Sequence, residues 1–251
     1  MQTRDHGRIH YLEAGSGAPL IFMHTNGHSA YEYHDMMGPL AARNRVIAWD
    51  QPGHGDSEPI TRHYSVDDYA DALVAFMDAL GIRQANVFGA SIGGTVAVSL
   101  GVRHADRIDS LFVVEAPFRT PAQWLERWPA TEAGYGTVTQ TFEQVAPRLR
   151  HLTQEEFARW NIDRSKAGAW AMMDVMWALR DYDVHAALPN VRTRTMVIYG
   201  DKTPHRGALA AVGKAIPGAV TAEIANCGHF PMMDDPAGVA AIIDRFIHER
   251  G

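Results

Sequence analysis

The segment Gly89-Ala90-Ser91-Ile92-Gly93 has the form G-x-S-x-G. It follows the strand-like run Ala85-Asn86-Val87-Phe88 and opens a small-residue helix that the spacing predicts from Ile92 to His104. A tight strand-to-helix turn in that position pushes a serine hydroxyl out at the carboxyl end of the strand, and the flanking glycines let strand and helix approach closely. Ser91 is therefore the candidate nucleophile. The N–H of Ile92, at the helix start, can face an oxyanion. A serine nucleophile needs a base. Of 13 histidines, position singles out His229, in Cys227-Gly228-His229-Phe230-Pro231. That loop lies between the last predicted strand and the last predicted helix. A histidine there can take the proton of Ser91 Oγ and return it to a leaving group. Cys227 has no second base or cysteine signature beside it and is read as packing.

The elements that must hold these residues alternate. Residues 8–13, 20–23, 45–49, 85–88, 111–114, 195–199 and 220–224 read as strands, most of them short apolar runs suited to a sheet buried on both faces. Residues 30–43 can form a helix. Ser65 can cap another, with Asp68 three residues on as the partner of a capping box and Gly81 as its stop. The last helix is predicted over 236–249. Strand and helix in alternation give the fold class α/β, with a mostly parallel doubly wound sheet. From Pro117 to Pro189 only helical periodicity is found. The chain is thus divided into a core domain, 1–116 and 190–251, and a helical cap insertion, 117–189.

Composition excludes several classes of function. Net charge over the 251 residues is −6, with no block of like charge, so nothing marks a nucleic-acid site. No apolar run reaches the roughly 20 residues that span a bilayer, and the first residues lack the apolar core of a secretory signal. One cysteine allows no intrachain disulfide. A cytoplasmic location is the expectation. No histidine–carboxylate spacing marks a metal site, and no cofactor is called for. A homodimer is compatible with the sequence.

The segments His24-Thr25-Asn26-Gly27, Asp50-Gln51-Pro52-Gly53-His54-Gly55-Asp56-Ser57, Gly89 to Gly94 and Gly228-His229-Phe230-Pro231 together resemble the α/β-hydrolase superfamily along nearly the whole chain. The resemblance implies an acid after the next-to-last strand, often as Gly-x-x-Asp. Here Gly200-Asp201-Lys202-Thr203 places Thr203 at that position, and Asp201 stands two residues early. The other location known in the superfamily is the end of the strand after the nucleophile helix, where Glu115 lies 24 residues beyond Ser91. This placement resembles one haloalkane-dehalogenase subfamily and the zearalenone-lactonase-type hydrolases, which are also similar around Thr203-Pro204 and His229-Phe230-Pro231. A carboxylate ending a buried strand needs a partner. Glu115 is therefore preferred as the acid, with a pairing to Arg119 as the plainer explanation of its charge, and Asp201 is the alternative acid. The resemblance also makes the backbone N–H of Asn26 the second oxyanion donor, with its side chain a further donor to consider. Thr25 departs from the usual glycine. The Asp50–Ser57 loop reads as structural and His54 as non-catalytic.

These residues imply a serine hydrolase that cleaves a carboxylic ester or lactone of a small molecule through an acyl-enzyme. The tryptophans and methionines of the cap favour an apolar or aromatic substrate over a charged one, with Trp128, Trp177 and Met173 as candidate contacts. The alternatives are a C–C bond hydrolase of a diketone-like substrate, a cofactor-free oxygenase on the same scaffold, and a hormone-receptor-like protein without chemistry. A dehalogenase is disfavoured, because alkylation needs a carboxylate nucleophile and position 91 is serine.

Overall fold

Alternate residues along the strands feed two separate cores. Ile21, Met23, Val87, Val113 and Val197 pack on one side of the sheet. Leu20, Phe22, Phe88, Phe112 and Ile198 pack on the other. A strand that buries both of its faces has no polar side, and this is why the sequence shows apolar runs rather than alternation.

The computed structural model describes residues 1–3 and 5–249. In chain order the strands are β1 (Tyr11–Ala14), β2 (Ala18–Met23), β3 (Asn44–Trp49), β4 (Ala85–Ala90), β5 (Ile108–Val114), β6 (Thr195–Gly200) and β7 (Val220–Ile224). Among the described residues they form one sheet of order β1-β3-β2-β4-β5-β6-β7. β1 runs antiparallel to β3, and the remaining pairs are parallel. The helices of the sheet domain are α1 (His34–Ala41), α2 (Val66–Ala79) and α3 (Ile92–Arg103). Between β5 and β6 come α4 (Pro121–Tyr135), α5 (Phe142–Val145), α6 (Gln154–Asp181) and α7 (Val184–Ala187). α8 (Ala208–Ala215), α9 (Pro231–Asp234) and α10 (Pro236–His248) complete the chain. No helix among the described residues is long and apolar enough to cross a membrane.

Local chemistry accounts for the element ends. Ser65 Oγ accepts the Asp68 N–H at 3.1 Å, and Asp68 Oδ2 accepts the Ser65 N–H at 2.9 Å, the reciprocal cap expected of that spacing. Two elements differ from the sequence reading. The strand over 8–13 begins only at Tyr11, because the N–H groups of Arg8 and His10 are drawn to Glu58 and Ser57 instead of to the sheet. The helix over 30–43 divides into a 3-10 turn, Ala30–Tyr33, and α1. α6 is interrupted at Gly168, whose φ of 72° and ψ of 163° are outside the helical region.

The helices between β5 and β6 are tied to each other and to the sheet domain by buried polar groups. Arg164 is almost fully buried and donates to the carbonyls of Gly134, Thr137 and Val138, which locks the end of α4 onto α6. The buried carboxylate of Asp174 accepts from the Tyr64 N–H at 3.0 Å and lies 2.6 Å from His63 Nδ1. These contacts join α4 to α6 and α6 to the segment that precedes α2.

Candidate active site

Ser91 occupies the turn between β4 and α3 with φ 54° and ψ −112°. A non-glycine residue in that region is strained and persists only where its surroundings force it. The surroundings are explicit here. A Cβ on Gly89 would collide with the carbonyl oxygen of Gly93, and one on Gly93 with the carbonyl oxygen of Met23. The Ser91 N–H donates to Val114 O at 2.8 Å, which anchors the turn to β5. Ile92 supplies the first N–H of α3, which a helix leaves without an internal acceptor.

His229 stands just before α9. Its own N–H donates to Arg148 O at 3.1 Å, and the preceding Gly228 N–H donates to Asp234 Oδ2 at 2.7 Å. Its Nδ1 lies 3.0 Å from Glu115 Oε2. An ionised carboxylate can only accept, so Nδ1 carries the proton and Nε2 is the acceptor left for the cavity. His229 and Ser91 both open on that cavity. No hydrogen bond joins the two side chains, and such contacts commonly tighten only in a substrate complex.

Glu115 directly follows β5, is fully buried, and also has positive φ, 49°. Its Oε1 accepts from the Gly200 N–H at 2.8 Å, and its Oε2 accepts from the Thr203 hydroxyl at 2.7 Å. The threonine at the usual aspartate position is therefore a donor to a carboxylate contributed by the neighbouring strand. Asp201 is turned elsewhere. It accepts from the Cys227 N–H at 3.2 Å and pairs with Lys202 at 3.0 Å. Of the two candidate acids, only Glu115 reaches His229. Nor does Arg119 pair with Glu115, for its guanidinium lies 4.8 Å from the centre of the Trp124 ring.

The loop after β2 is held by buried groups. Glu32 Oε2 accepts from both the N–H of Thr25, at 3.2 Å, and its hydroxyl, at 2.7 Å. Burial pushes the Glu32 carboxyl up to about 8. Thr25 in place of glycine thus gives the loop a side-chain grip. Asn26 is on the cavity wall, but its amide is engaged: Nδ2 donates to Met172 O at 2.9 Å, and Oδ1 lies 3.2 Å from His54 Nε2. The Asn26 amide thus commits one of its two N–H donors to Met172 O. His54 is buried, which lowers it to about 3, so it braces Asn26 as a neutral ring.

The cavity has a volume of about 200 Å³. Trp124, Tyr135, Met176 and Leu179 line it, together with Arg119, Arg127, Arg148 and His205. Its wall is mixed and not the apolar one expected from the cap composition. Trp128, Trp177 and Met173 do not line it. Trp128 donates to Glu132 and lies under Arg180, while Trp177 packs on Trp170. On α6 the face presented is Met176 and Leu179, and the adjacent position 177 is rotated by about 100°. His205 was not singled out by the sequence. Its ring centre is 5.3 Å from that of His229, and burial, followed by the proximity of His229, lowers it to about 3.

Outside this cavity, ligand atoms of His10, Asp50 and Asp56 lie within 4.8 Å of one another, a grouping that sequence spacing did not reveal. The Asp50 oxygens accept from the Ala30 and Asp56 N–H groups and meet His10, so the group braces the 50–57 loop.

Residues 18–236 match the family described as the alpha/beta hydrolase fold, and the chain belongs to that family. It is 26% identical over 264 residues to the 2-hydroxymuconate semialdehyde hydrolase of Pseudomonas sp. strain CF600, across 96% of this chain and 91% of that protein. It is 35% identical to haloalkane dehalogenase 2 of Mycobacterium tuberculosis H37Rv over 103 residues, 41% of this chain and 36% of that one. The enol-lactonase of Burkholderia xenovorans LB400 shares the fold, with a TM-score of 0.80, 22% identity and 96% of each chain covered.

Proposed function

We propose that this protein is a serine hydrolase that cleaves a carboxylic ester or lactone of a small molecule, with Ser91 as nucleophile, His229 as base and Glu115 as the acid that orients it. The observation that carries this reading is the 3.0 Å contact between Glu115 and His229 Nδ1, which turns Nε2 to the cavity that Ser91 enters. Ser91 Oγ attacks the substrate carbonyl as its proton passes to Nε2. The N–H groups of Asn26 and Ile92 hold the oxyanion. The carbonyl–oxygen bond breaks, and the leaving alkoxide takes the proton from His229. Water then gives a proton to His229 and attacks the acyl group, which releases the acid and restores Ser91.

A fluorophosphonate probe tests this directly. Ser91 should be labelled in the folded protein, and Ser91→Ala should lower kcat on a p-nitrophenyl ester by several orders of magnitude, on the order of 10⁶. A folded protein that neither takes the label nor turns over an ester refutes the assignment.

The match to 2-hydroxymuconate semialdehyde hydrolase across most of both chains favours a second reading, hydrolysis of a C–C bond beside a ketone with the same residues. That substrate name contains no ester. Turnover of a vinylogous diketone in preference to matched esters would establish it over the first.

A further inference from the structure

We propose that the cavity over Ser91 takes a substrate bearing a carboxylate, which Arg119 and Arg127 receive together with Arg148. The three arginines come from two separate segments, the entry and body of α4 and the 3-10 turn Ala146–Arg148. Among the described residues, the cavity they line with Ser91 and His229 carries no aspartate or glutamate. The whole chain has a net charge of −6, so the lining has the opposite sign to the molecule.

No ion pair among the described residues involves these arginines. Arg119 sits over the Trp124 ring and Arg148 over the Trp160 ring, at 4.8 and 5.6 Å from the ring centres. Like charges that face one cavity without an acid repel one another, and an anion between them relieves this. The effect on neighbouring groups has the expected sign. Burial and then the Arg127 charge lower Arg119, while Arg119 and Arg127 both act to keep the His205 ring neutral. Guanidinium forks match a carboxylate with paired N–H donors. The volume, about 200 Å³, is below the roughly 300–1,000 Å³ of sites for drug-sized ligands. A short acid with an ester or lactone carbonyl a few bonds from its carboxylate fits these features.

This inference rests on the serine-hydrolase reading for the bond that reacts, but its binding step is separable from turnover. Titration calorimetry on Ser91→Ala protein would compare monomethyl glutarate, which has a carboxylate and an ester, with neutral dimethyl glutarate. The acid should bind about 10- to 100-fold more tightly, and added salt should weaken it. Arg119→Gln and Arg127→Gln, made separately, should each remove most of that preference. Arg127 is exposed, so its replacement tests the idea without disturbing the core. Equal affinity for the two esters, no binding of the acid, or a preference that survives both replacements would overturn the inference. Loss of the hydrolase reading looks different: the native protein then fails to cleave p-nitrophenyl acetate or take the fluorophosphonate label, whatever the calorimetry shows.

Discussion

Thr203 and His229 meet the same oxygen of Glu115: the threonine hydroxyl lies 2.7 Å from Oε2 and His229 Nδ1 lies 3.0 Å from it. The two halves of the site that looked mismatched in the sequence are thus parts of one arrangement. Where a carboxylate is usual there is a donor, and the carboxylate comes from the adjacent strand. With the Gly200 N–H on Oε1, the buried charge of Glu115 has partners on both oxygens, which a fully buried carboxylate requires.

Glu115→Gln should therefore lower kcat by about 10²–10⁴, since an amide can neither fix the Nδ1–H tautomer of His229 nor stabilise its charged form. Asp201→Asn should stay within a few-fold of the native rate, because Asp201 faces Cys227 and Lys202. Steady-state rates on a p-nitrophenyl ester, with circular dichroism to verify folding, decide the point. The reverse order of effects would move the acid to Asp201.

Thr203→Val keeps the shape of the side chain and removes its donor. A hydrogen bond to a charged group is worth roughly 1.5–3 kcal/mol, so kcat should fall by about tenfold or more. KM should change little, because Thr203 is buried and does not line the cavity. A rate unchanged within experimental error would show that the hydroxyl does not support Glu115.

The sheet and the Ser91 turn were legible because single residues carry their physics. Apolar runs mark doubly buried strands, and the glycines at 89 and 93 are required by backbone oxygens that a Cβ would strike. The surroundings of Glu115 were only half legible. Glu115 meets Gly200 and Thr203 because β5 and β6 pair with Val114 opposite Ile198, and a register between distant segments leaves no local signal. The cavity wall was misread for a different reason. On α4, Trp124 and Trp128 stand about 40° apart around the axis, on α6 Met176 and Trp177 about 100° apart, and the break at Gly168 resets the phase of α6. Arg127 was passed over because an arginine on a helix usually faces water.

Glu32 makes stability depend on pH in a direction unusual for a carboxylate. Unfolded, it ionises near 4.5; folded, burial delays ionisation to about 8. Between those values the native protein holds a proton that the unfolded chain has released. Glu32 therefore favours the fold most below this window, and stability falls as pH rises through it. Glu32→Gln removes the titration but keeps an oxygen for the Thr25 N–H. Thermal melts from about pH 5 to 8 should show a shallower decline of Tm for the variant than for the native protein. Parallel curves would mean that Glu32 does not carry this dependence. Any loss of kcat in the variant measures how far the grip on Thr25 positions the Asn26 N–H.

Gly93→Ala tests whether the strained turn depends on close backbone approach. The added methyl would meet the Met23 carbonyl oxygen, which belongs to β2 and cannot move without disturbing the centre of the sheet. Overpacking a core side chain costs about 1–3 kcal/mol, and a clash with backbone should reach at least the upper end of that range. Gly134→Ala is the matched control. It lies within α4, has nothing within 4 Å of the added Cβ, and should be neutral or gain up to about 1 kcal/mol in helix propensity. For a chain of this size each kcal/mol moves Tm by roughly 2–4 °C, so the two variants should shift in opposite directions or differ by several degrees. If Gly93→Ala melts with the native protein, the turn can yield, and the geometry of Ser91 must then be held by the Ser91 N–H bond to Val114 and not by the glycines.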